Sequence, residues 1–347
     1  MLSRIGRIPL AVVVLFLFLD LKAKRLNDYG SFKVVSYSDY DDVVGDSGQK
    51  ELVLDKKLVT GILRGMNYIR EGMWLCDGRE RRVGGFFVDN TETTVDEYRK
   101  FLFIVTDFLD QKKKNELSLL KREDLEEVYG SGDKVDKVLD LQDFLTNSLS
   151  DEYVEWLKPL NNVFSEELDG DIVSKFGLND YFTDPKFGGY PIVGLIFEQM
   201  KHFLKWRTYY LIRYLVNQGI ETYGEYEFLT FPEYCYIASS GDRNNRYAWG
   251  SLNVRSDDGQ LFANFNFENE FMCGVNKYPA NNFGVRDMCG NVDEITSDSA
   301  NNNNMLKTTA VGNYASLLSD VRIGVSHFEH VDRARHCLSF RAKLVLK

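Results

Sequence analysis

The sequence predicts an α+β domain, rich in loops and low in regular secondary structure, with one helical insertion. Three observations carry this. Two stretches, near residues 94–105 and 197–214, repeat apolar side chains at the three- and four-residue spacing of a half-buried helix. Short β-like runs sit between glycines, as in Val83-Gly84-Gly85-Phe86-Phe87-Val88. From Phe228 onward the chain is rich in Gly, Asn and Asp and poor in long periodic segments, which implies many loops held by few elements.

At the start of the chain, Arg4 and Arg7 precede an apolar run over residues 8–19 that breaks at Asp20. A basic flank and a short apolar run form the pattern of an export signal, and the run is too short to span a bilayer. We expect a signal peptide over residues 1–23 and a mature chain that begins near Ala23 or Lys24. The expected location is the periplasm or the periplasmic face of the outer membrane. The first cysteine is Cys76, so no lipidation cysteine follows the run. Residues 24–64 are polar and punctuated by Asp39-Tyr40-Asp41-Asp42 and Gly45-Asp46-Ser47-Gly48, as in an arm or linker. Residues 65–347 then form the domain.

The first helix opens at Thr93 or Thr94, where a hydroxyl accepts from a free backbone N–H and Glu97 completes a capping box with Thr94. Tyr98, Phe101, Leu102 and Val105 then share a face. Residues 107–165 form a charged insertion containing Lys112-Lys113-Lys114 and Lys121-Arg122-Glu123-Asp124, helical in pattern and weak in apolar content. Charge runs mark solvated faces, so the insertion reads as a solvated helical excursion. Tyr190-Pro191-Ile192-Val193-Gly194 reads as extended chain. The amphipathic helix over residues 197–214 offers Met200, Phe203, Leu204, Tyr210, Leu211 and Tyr214 for burial. Thr230 and Glu233 pair as a second helix cap.

Forty-two basic and 52 acidic residues give a formal charge of −10, which repels phosphate backbones, and no Lys/Arg stripe offsets it. No nucleic-acid partner is expected. Five widely spaced cysteines, with no CxxC, exclude zinc-knuckle and thioredoxin-like motifs. One or two disulfides and buried thiols both fit this set. No G-x-S-x-G elbow occurs. His327 and His330, with His336 and Cys337 behind them, are metal ligands by type, but no fourth ligand is fixed, and a surface or loop location is the plainer reading.

Five blocks in order carry a resemblance. They are Gly65-Met66-Asn67-Tyr68-Ile69 with Phe86-Phe87-Val88-Asp89-Asn90-Thr91-Glu92-Thr93-Thr94; Tyr190 to Gly194 with Lys205-Trp206-Arg207; Tyr247-Ala248-Trp249-Gly250 with Ala263-Asn264-Phe265; Asn282-Phe283-Gly284-Val285-Arg286-Asp287-Met288-Cys289-Gly290-Asn291-Val292-Asp293-Glu294; and Ser339-Phe340-Arg341. Together they resemble the formylglycine-generating-enzyme-like (sulfatase-modifying factor) domain, whose fold is C-type-lectin-like. Within that family the insertion, the Lys205-Trp206-Arg207-Thr208 string and residues 259–265 look most like the gliding-motility lipoproteins J and K. The departures are specific. Glu227-Phe228-Leu229-Thr230-Phe231-Pro232-Glu233-Tyr234-Cys235 stands where the family reads Arg-Leu-Pro-Thr-Glu-Ala-Glu-Trp-Glu. Asp293 replaces a tryptophan, Ser339 a glycine, and Val311-Gly312-Asn313-Tyr314 a Gly-Gly-Ser-Trp string.

The resemblance implies calcium at two places. One site uses the carboxylates of Asp287 and Glu294 with main-chain oxygens at Gly290 and Val292. The other uses Asn264 and the Phe265 carbonyl, with Glu268 or Glu270 in place of an aspartate. Hard oxygen donors on short irregular turns are what Ca²⁺ takes. The oxidase members hold copper through a close cysteine pair near the C-terminal end, because soft thiolates bind Cu(I); here Cys337 is the single cysteine of the last fifty residues. Iron-using members bring a histidine-rich domain, whereas this chain has four histidines. Neither copper nor iron is expected. The implied role is a non-catalytic scaffold in a type IX secretion-like or gliding-motility assembly, peripheral to the membrane, whose partners are protein components of the envelope. Tyr153 and Trp156, beside the insertion, are the expected anchors. A ligand-binding module using Tyr234, Tyr236, Tyr247, Trp249 and residues 301–304, or a metal-dependent oxidase, are the alternatives.

Overall fold

A computed structural model describes Leu63 and residues 65–76, 78–266, 271–300, 303–310 and 312–347. The expected signal peptide, nearly all of the arm, Glu268, Glu270, Asn301, Asn302 and Val311 lie outside the described residues. Residues 67–347 form one compact unit, and the following concerns that unit.

Two glycines decide how the β-rich opening folds. Gly84 has φ +97°, and a Cβ there would lie 2.1 Å from the Arg70 carbonyl oxygen; Gly85 follows at φ +78°. The run over residues 83–88, expected as one strand, is therefore broken in two. β2 (Gly72–Cys76) and β3 (Arg79–Val83) form a two-stranded antiparallel ribbon. β4 (Phe86–Asp89) enters a sheet of order β1-β4-β10-β5, with β1 spanning Met66–Ile69, β5 Gly224–Phe228 and β10 Ala342–Leu346. β10, close to the end of the chain, runs antiparallel to both neighbours and ties the first block to the middle of the sequence.

Thr94 caps α1 (Val95–Lys113) as expected: its hydroxyl accepts from the Glu97 N–H at 3.3 Å, and the Glu97 carboxylate accepts from the Thr94 N–H at 2.8 Å. The buried stripe of Tyr98, Phe101, Leu102 and Val105 continues through Phe108 and Leu109, so the helix runs into the segment read as an insertion. Helices α2 (Arg122–Tyr129), α3 (Asp133–Ser148), α4 (Asp151–Trp156), α5 (Val163–Glu167) and α6 (Gly170–Phe176) follow. This segment is helical, but it is not merely a solvated excursion. Leu125, Val135, Val138, Leu145 and Leu157 are fully buried. Gln142 exchanges hydrogen bonds with both backbone groups of Leu120, at 2.8 and 3.2 Å, and accepts one from the Tyr209 hydroxyl at 2.7 Å. A stripe of about one apolar residue per turn suffices to bury a short helix, and the surrounding charges mask it in composition.

The spine is α7 (Phe197–Gln218), which ends where Gly219 turns left-handed at φ +65°. All six residues expected on its apolar face are buried. Its Lys205-Trp206-Arg207 string points three ways. Trp206 is buried, with Phe108 edge-on at 5.2 Å. Arg207 makes a bidentate pair with Asp89 at 2.5 and 2.8 Å and lies 4.0 Å above the Tyr226 ring. Lys205 is half-buried against the Phe144 ring, 3.7 Å from its centre.

After α8 (Phe231–Ala238), capped by Thr230 and Glu233, no helix or strand is found among the described residues until β6 (Asp293–Ala300). β6 lies in a sheet of order β8-β7-β6-β9, with β7 spanning Asn303–Ala310, β8 Ser326–His330 and β9 Leu338–Ser339; β6 and β9 are parallel and the other pairs antiparallel. No helix among the described residues is long and apolar enough to cross a membrane.

Candidate functional site

The Gly284 to Glu294 stretch is a chain of tight turns rather than an element. Gly284, Asp287, Gly290 and Asn291 all have positive φ. At Gly290 a Cβ would stand 2.5 Å from the Asn264 carbonyl oxygen, so only glycine lets the two loops touch. The contact is sealed by the Asn291 N–H, which donates to that same carbonyl at 2.8 Å. The two expected calcium regions, at 264–265 and at 287–294, are thus brought side by side.

Asn291 is the hub. Fully buried, its side chain donates to the Glu92 carboxylate at 2.9 Å and to the Cys273 carbonyl at 3.2 Å, and accepts from the Cys273 N–H at 2.9 Å. The Asn264 amide donates to the Phe271 carbonyl at 3.0 Å and to the Asn291 side-chain oxygen at 3.3 Å. The Phe265 side chain joins an apolar cluster with Tyr247, Ala263, Cys289 and Val321.

A buried charge group lies beside this hub. Arg341, with no exposed surface, donates to both oxygens of Glu294 at 2.8 and 3.1 Å, to the Asp89 carbonyl at 3.1 Å and to the Arg286 carbonyl at 2.9 Å. One Glu92 oxygen is 3.9 Å from the same guanidinium and has no hydrogen-bond partner among the described residues. Burial pushes the Glu92 carboxyl up to about 7 against the pull of Arg341. Asp287 is buried, and neither of its carboxylate oxygens has a hydrogen-bond partner among the described residues. Burial first, then the charge of Glu92, raises its pKa well above the usual carboxylate range. An orphaned buried carboxylate is costly unless a cation or proton meets it.

The residues therefore fit calcium unequally. Asp287 fits, because a hard cation would satisfy both orphaned oxygens. Glu294 already lends one lone pair of each oxygen to Arg341 and would share the remainder. The main-chain oxygens at Gly290 and Val292 belong to the same turn. Among the described residues no three His, Cys, Asp or Glu side chains are placed to share a metal, so His327, His330, His336 and Cys337 do not assemble into a zinc or copper centre. His336 accepts or donates through Nδ1 at 2.5 Å from Glu167, and His327 lies 3.8 Å from Glu329.

Cys235, Cys273, Cys289 and Cys337 are buried and form no disulfide among the described residues. Burial pushes the thiols of Cys235, Cys289 and Cys337 up to about 12, with Asp293 adding to the effect at Cys337. Two sequence departures meet beside Cys337. Asp293 accepts from the Gly312 N–H at 2.8 Å and from the Asn313 side chain at 2.9 Å. The aspartate where the family has tryptophan is thus satisfied by the asparagine where it has serine. A separate cleft of about 440 Å³ is lined by Val254, Arg255, Leu261, Phe265, Leu317 and Leu318, among others. Behind it Trp249 stacks on Tyr247 at 4.6 Å and on Phe265 at 6.3 Å.

Sequence reasoning gave Asp287, Glu294 and Asn264 roles but none to Glu92, Asn291 and Arg341. Each stood in a quoted motif, and the one local signal was Arg341, a charged residue between the apolar Phe340 and Ala342.

The sulfatase-modifying factor enzyme 1-like domain matches residues 65–344. The chain belongs to this family. Among solved structures, it is similar to PvdO from Pseudomonas aeruginosa, with 15% identity and a TM-score of 0.43, covering 80% of this chain and 93% of that one. It is also similar to CarF, with 13% identity and a TM-score of 0.45 over 80% and 97% of the two chains, and to Treponema denticola variable protein 1, with 11% identity and a TM-score of 0.46 over 80% and 93%. No curated protein matches in sequence. Mixed helix and sheet around long turns, the expected α+β architecture, is the fold of this sulfatase-modifying factor-like domain.

Proposed function

We propose that this sulfatase-modifying factor-like chain works by contact, as a non-catalytic scaffold of a cell-envelope assembly of the type IX secretion or gliding-motility kind, and does not oxidise cysteine. The observation that carries the reading is the state of the Cys337 thiol. It is 3% exposed, with its pKa pushed up to about 12, whereas a nucleophilic or metal-binding thiol is a partly exposed thiolate of lowered pKa. The sequence departures around it have been absorbed into structure, as the Asp293–Asn313 pair illustrates. The exported location is inferred from the signal-peptide pattern of residues 1–23, and the peripheral relation to the membrane and the envelope partners from the resemblance to the gliding-motility lipoproteins. Calcium at Asp287 would brace the turn and leave chemistry aside.

Affinity purification of the tagged chain from its native host tests this. Envelope proteins of a secretion or motility apparatus should co-purify; recovery of the chain alone, or with cytoplasmic enzymes, contradicts it. A ligand-binding role is the second reading, favoured by the cleft at Leu317 and Leu318 against its aromatic backing. Under that reading Leu317→Arg would abolish thermal stabilisation by a small-molecule hit and leave co-purification intact.

A further inference from the structure

We propose that the face of α7 around Lys205 docks a peptide segment that carries carboxylates beside a large apolar side chain; this rests on the contact reading above and specifies its partner chemistry. The platform is made of rings. His202 lies under three of them, with centroids 5.3 Å from Phe144, 5.4 Å from Tyr153 and 5.1 Å from Trp156. The Tyr153 hydroxyl accepts from the Trp206 indole N–H at 3.1 Å and sits 2.7 Å from His202 Nδ1, so the ring is tied to both neighbours. Burial lowers the imidazole's pKa to about 4 and holds it neutral at physiological pH. The platform is thus rigid and uncharged, and both Phe144 and Trp156 present 38% of their surface above it. Exposed, pre-ordered aromatic rings over a buried support are what interface anchors are made of.

A cation without a carboxylate partner among the described residues stands at the same place. The Lys205 ammonium lies 3.7 Å from the centre of the Phe144 ring and has no ion-pair partner among the described residues. Lys201, one turn earlier, pairs with Glu198 at 2.8 Å. Lys307 donates to the Ser297 carbonyl at 3.0 Å and to the Ser299 hydroxyl at 2.9 Å. Burial and then the charge of Lys201 hold both Lys205 and Lys307 below the usual lysine range. Lys201 thus repels both Lys205 and Lys307, against the opposing charges of Glu198 at the first and Asp298 at the second. An incoming carboxylate would relieve that repulsion while an apolar side chain covers Phe144 and Trp156. The anion is argued to be a peptide rather than a lipid because the anchors are flat rings held against a core, a surface that matches side chains in shape.

The test uses the full chain and a fluorescein-labelled peptide of alternating glutamate and phenylalanine, read by anisotropy. Trp156→Ala and Lys205→Met should each weaken binding about tenfold while leaving the melting transition in place, since Trp156 is exposed and Lys205 only half-buried. Lys205→Met keeps the aliphatic packing on Phe144 and removes only the charge. Binding should also weaken with added salt, and a lysine–phenylalanine peptide should not bind. Equal affinity of both variants and wild type overturns the proposal, as does binding to phosphatidylglycerol vesicles in preference to the peptide. If the variants lose the peptide but keep every co-purified envelope protein, this face is not the scaffold surface and the contact reading survives elsewhere. If no envelope protein co-purifies with wild type, that reading fails whatever the peptide does.

Discussion

Arg341 is the residue on which the buried site balances. With no exposed surface, it neutralises Glu294 directly and Glu92 at 3.9 Å. Arg341→Met would leave both carboxylates uncompensated, and removal of one partner from a buried pair costs about 3–5 kcal/mol. Urea unfolding should show that loss, whereas Glu294→Gln, which leaves an acceptor for the guanidinium, should cost less. Asp287 supports a second test. If it holds calcium absent from the unfolded chain, binding adds about 2.7 kcal/mol at a hundredfold excess over Kd. A chelator should then lower the melting temperature of wild type and have no effect on Asp287→Ala; an unchanged wild-type melt would mean that a proton neutralises the carboxyl instead. Asp287 and Glu294 were singled out in sequence because the resembling motif gives them a role, whereas Glu92 was not. Their partners were not, because Asn291 and Arg341 are joined to Glu92 through space across 199 and 249 residues, and no local period encodes such a contact.

Among the elements, those with strong local signals were read correctly and those decided by tertiary contact were not. Thr94 with Glu97 and Thr230 with Glu233 carry their caps in four residues each, and α1 and α8 begin where those patterns place them. The break at Gly84 and Gly85 depends on the approach of Arg70, which the β-forming neighbours conceal. The segment over residues 107–165 shows the same limit. Its charges suggest a dispensable surface, yet it contains Phe108, Gln142 and Leu157, which pack on Trp206, bond to Tyr209 and accept the Tyr98 hydroxyl at 2.8 Å. Deleting residues 107–165 should therefore abolish cooperative unfolding, as seen by loss of the calorimetric transition. A deletion that melts cooperatively near the wild-type temperature would show that α7 is stable without this cover. Surface substitutions such as Trp156→Ala are the sounder probe of contact.

At the scale of the whole molecule, the fold class follows from three textures of sequence, but the ties between distant segments do not. Glu329 on β8, Arg333 and Arg335 in the following loop, and Glu167 on α5 form one charged seam, with Arg335 to Glu329 and Arg333 to Glu167 both at 3.2 Å. His336, held below its usual range by burial, joins through a hydrogen bond to Glu167 rather than through charge. Burial raises Glu329, but His327 at 3.8 Å and the hydrogen bond and charge of Arg335 prevail and hold it at about 2, against an ordinary value of 4.5. A carboxylate depressed in the fold stabilises above its unfolded pKa, and that contribution fades as pH falls from 4.5 towards 2. Glu329→Gln should flatten this part of the stability–pH curve, measured by denaturant midpoints; parallel curves for the two proteins would remove the seam from the acid response. The central claim is a matter of chemistry, and oxygen uptake tests it most directly. Purified protein loaded with Cu(I) and offered a cysteine-bearing peptide should consume no oxygen above the copper-only control, and the peptide mass should stay unchanged. Copper-dependent oxygen consumption with conversion of the peptide cysteine, lost in Cys337→Ser, would contradict it.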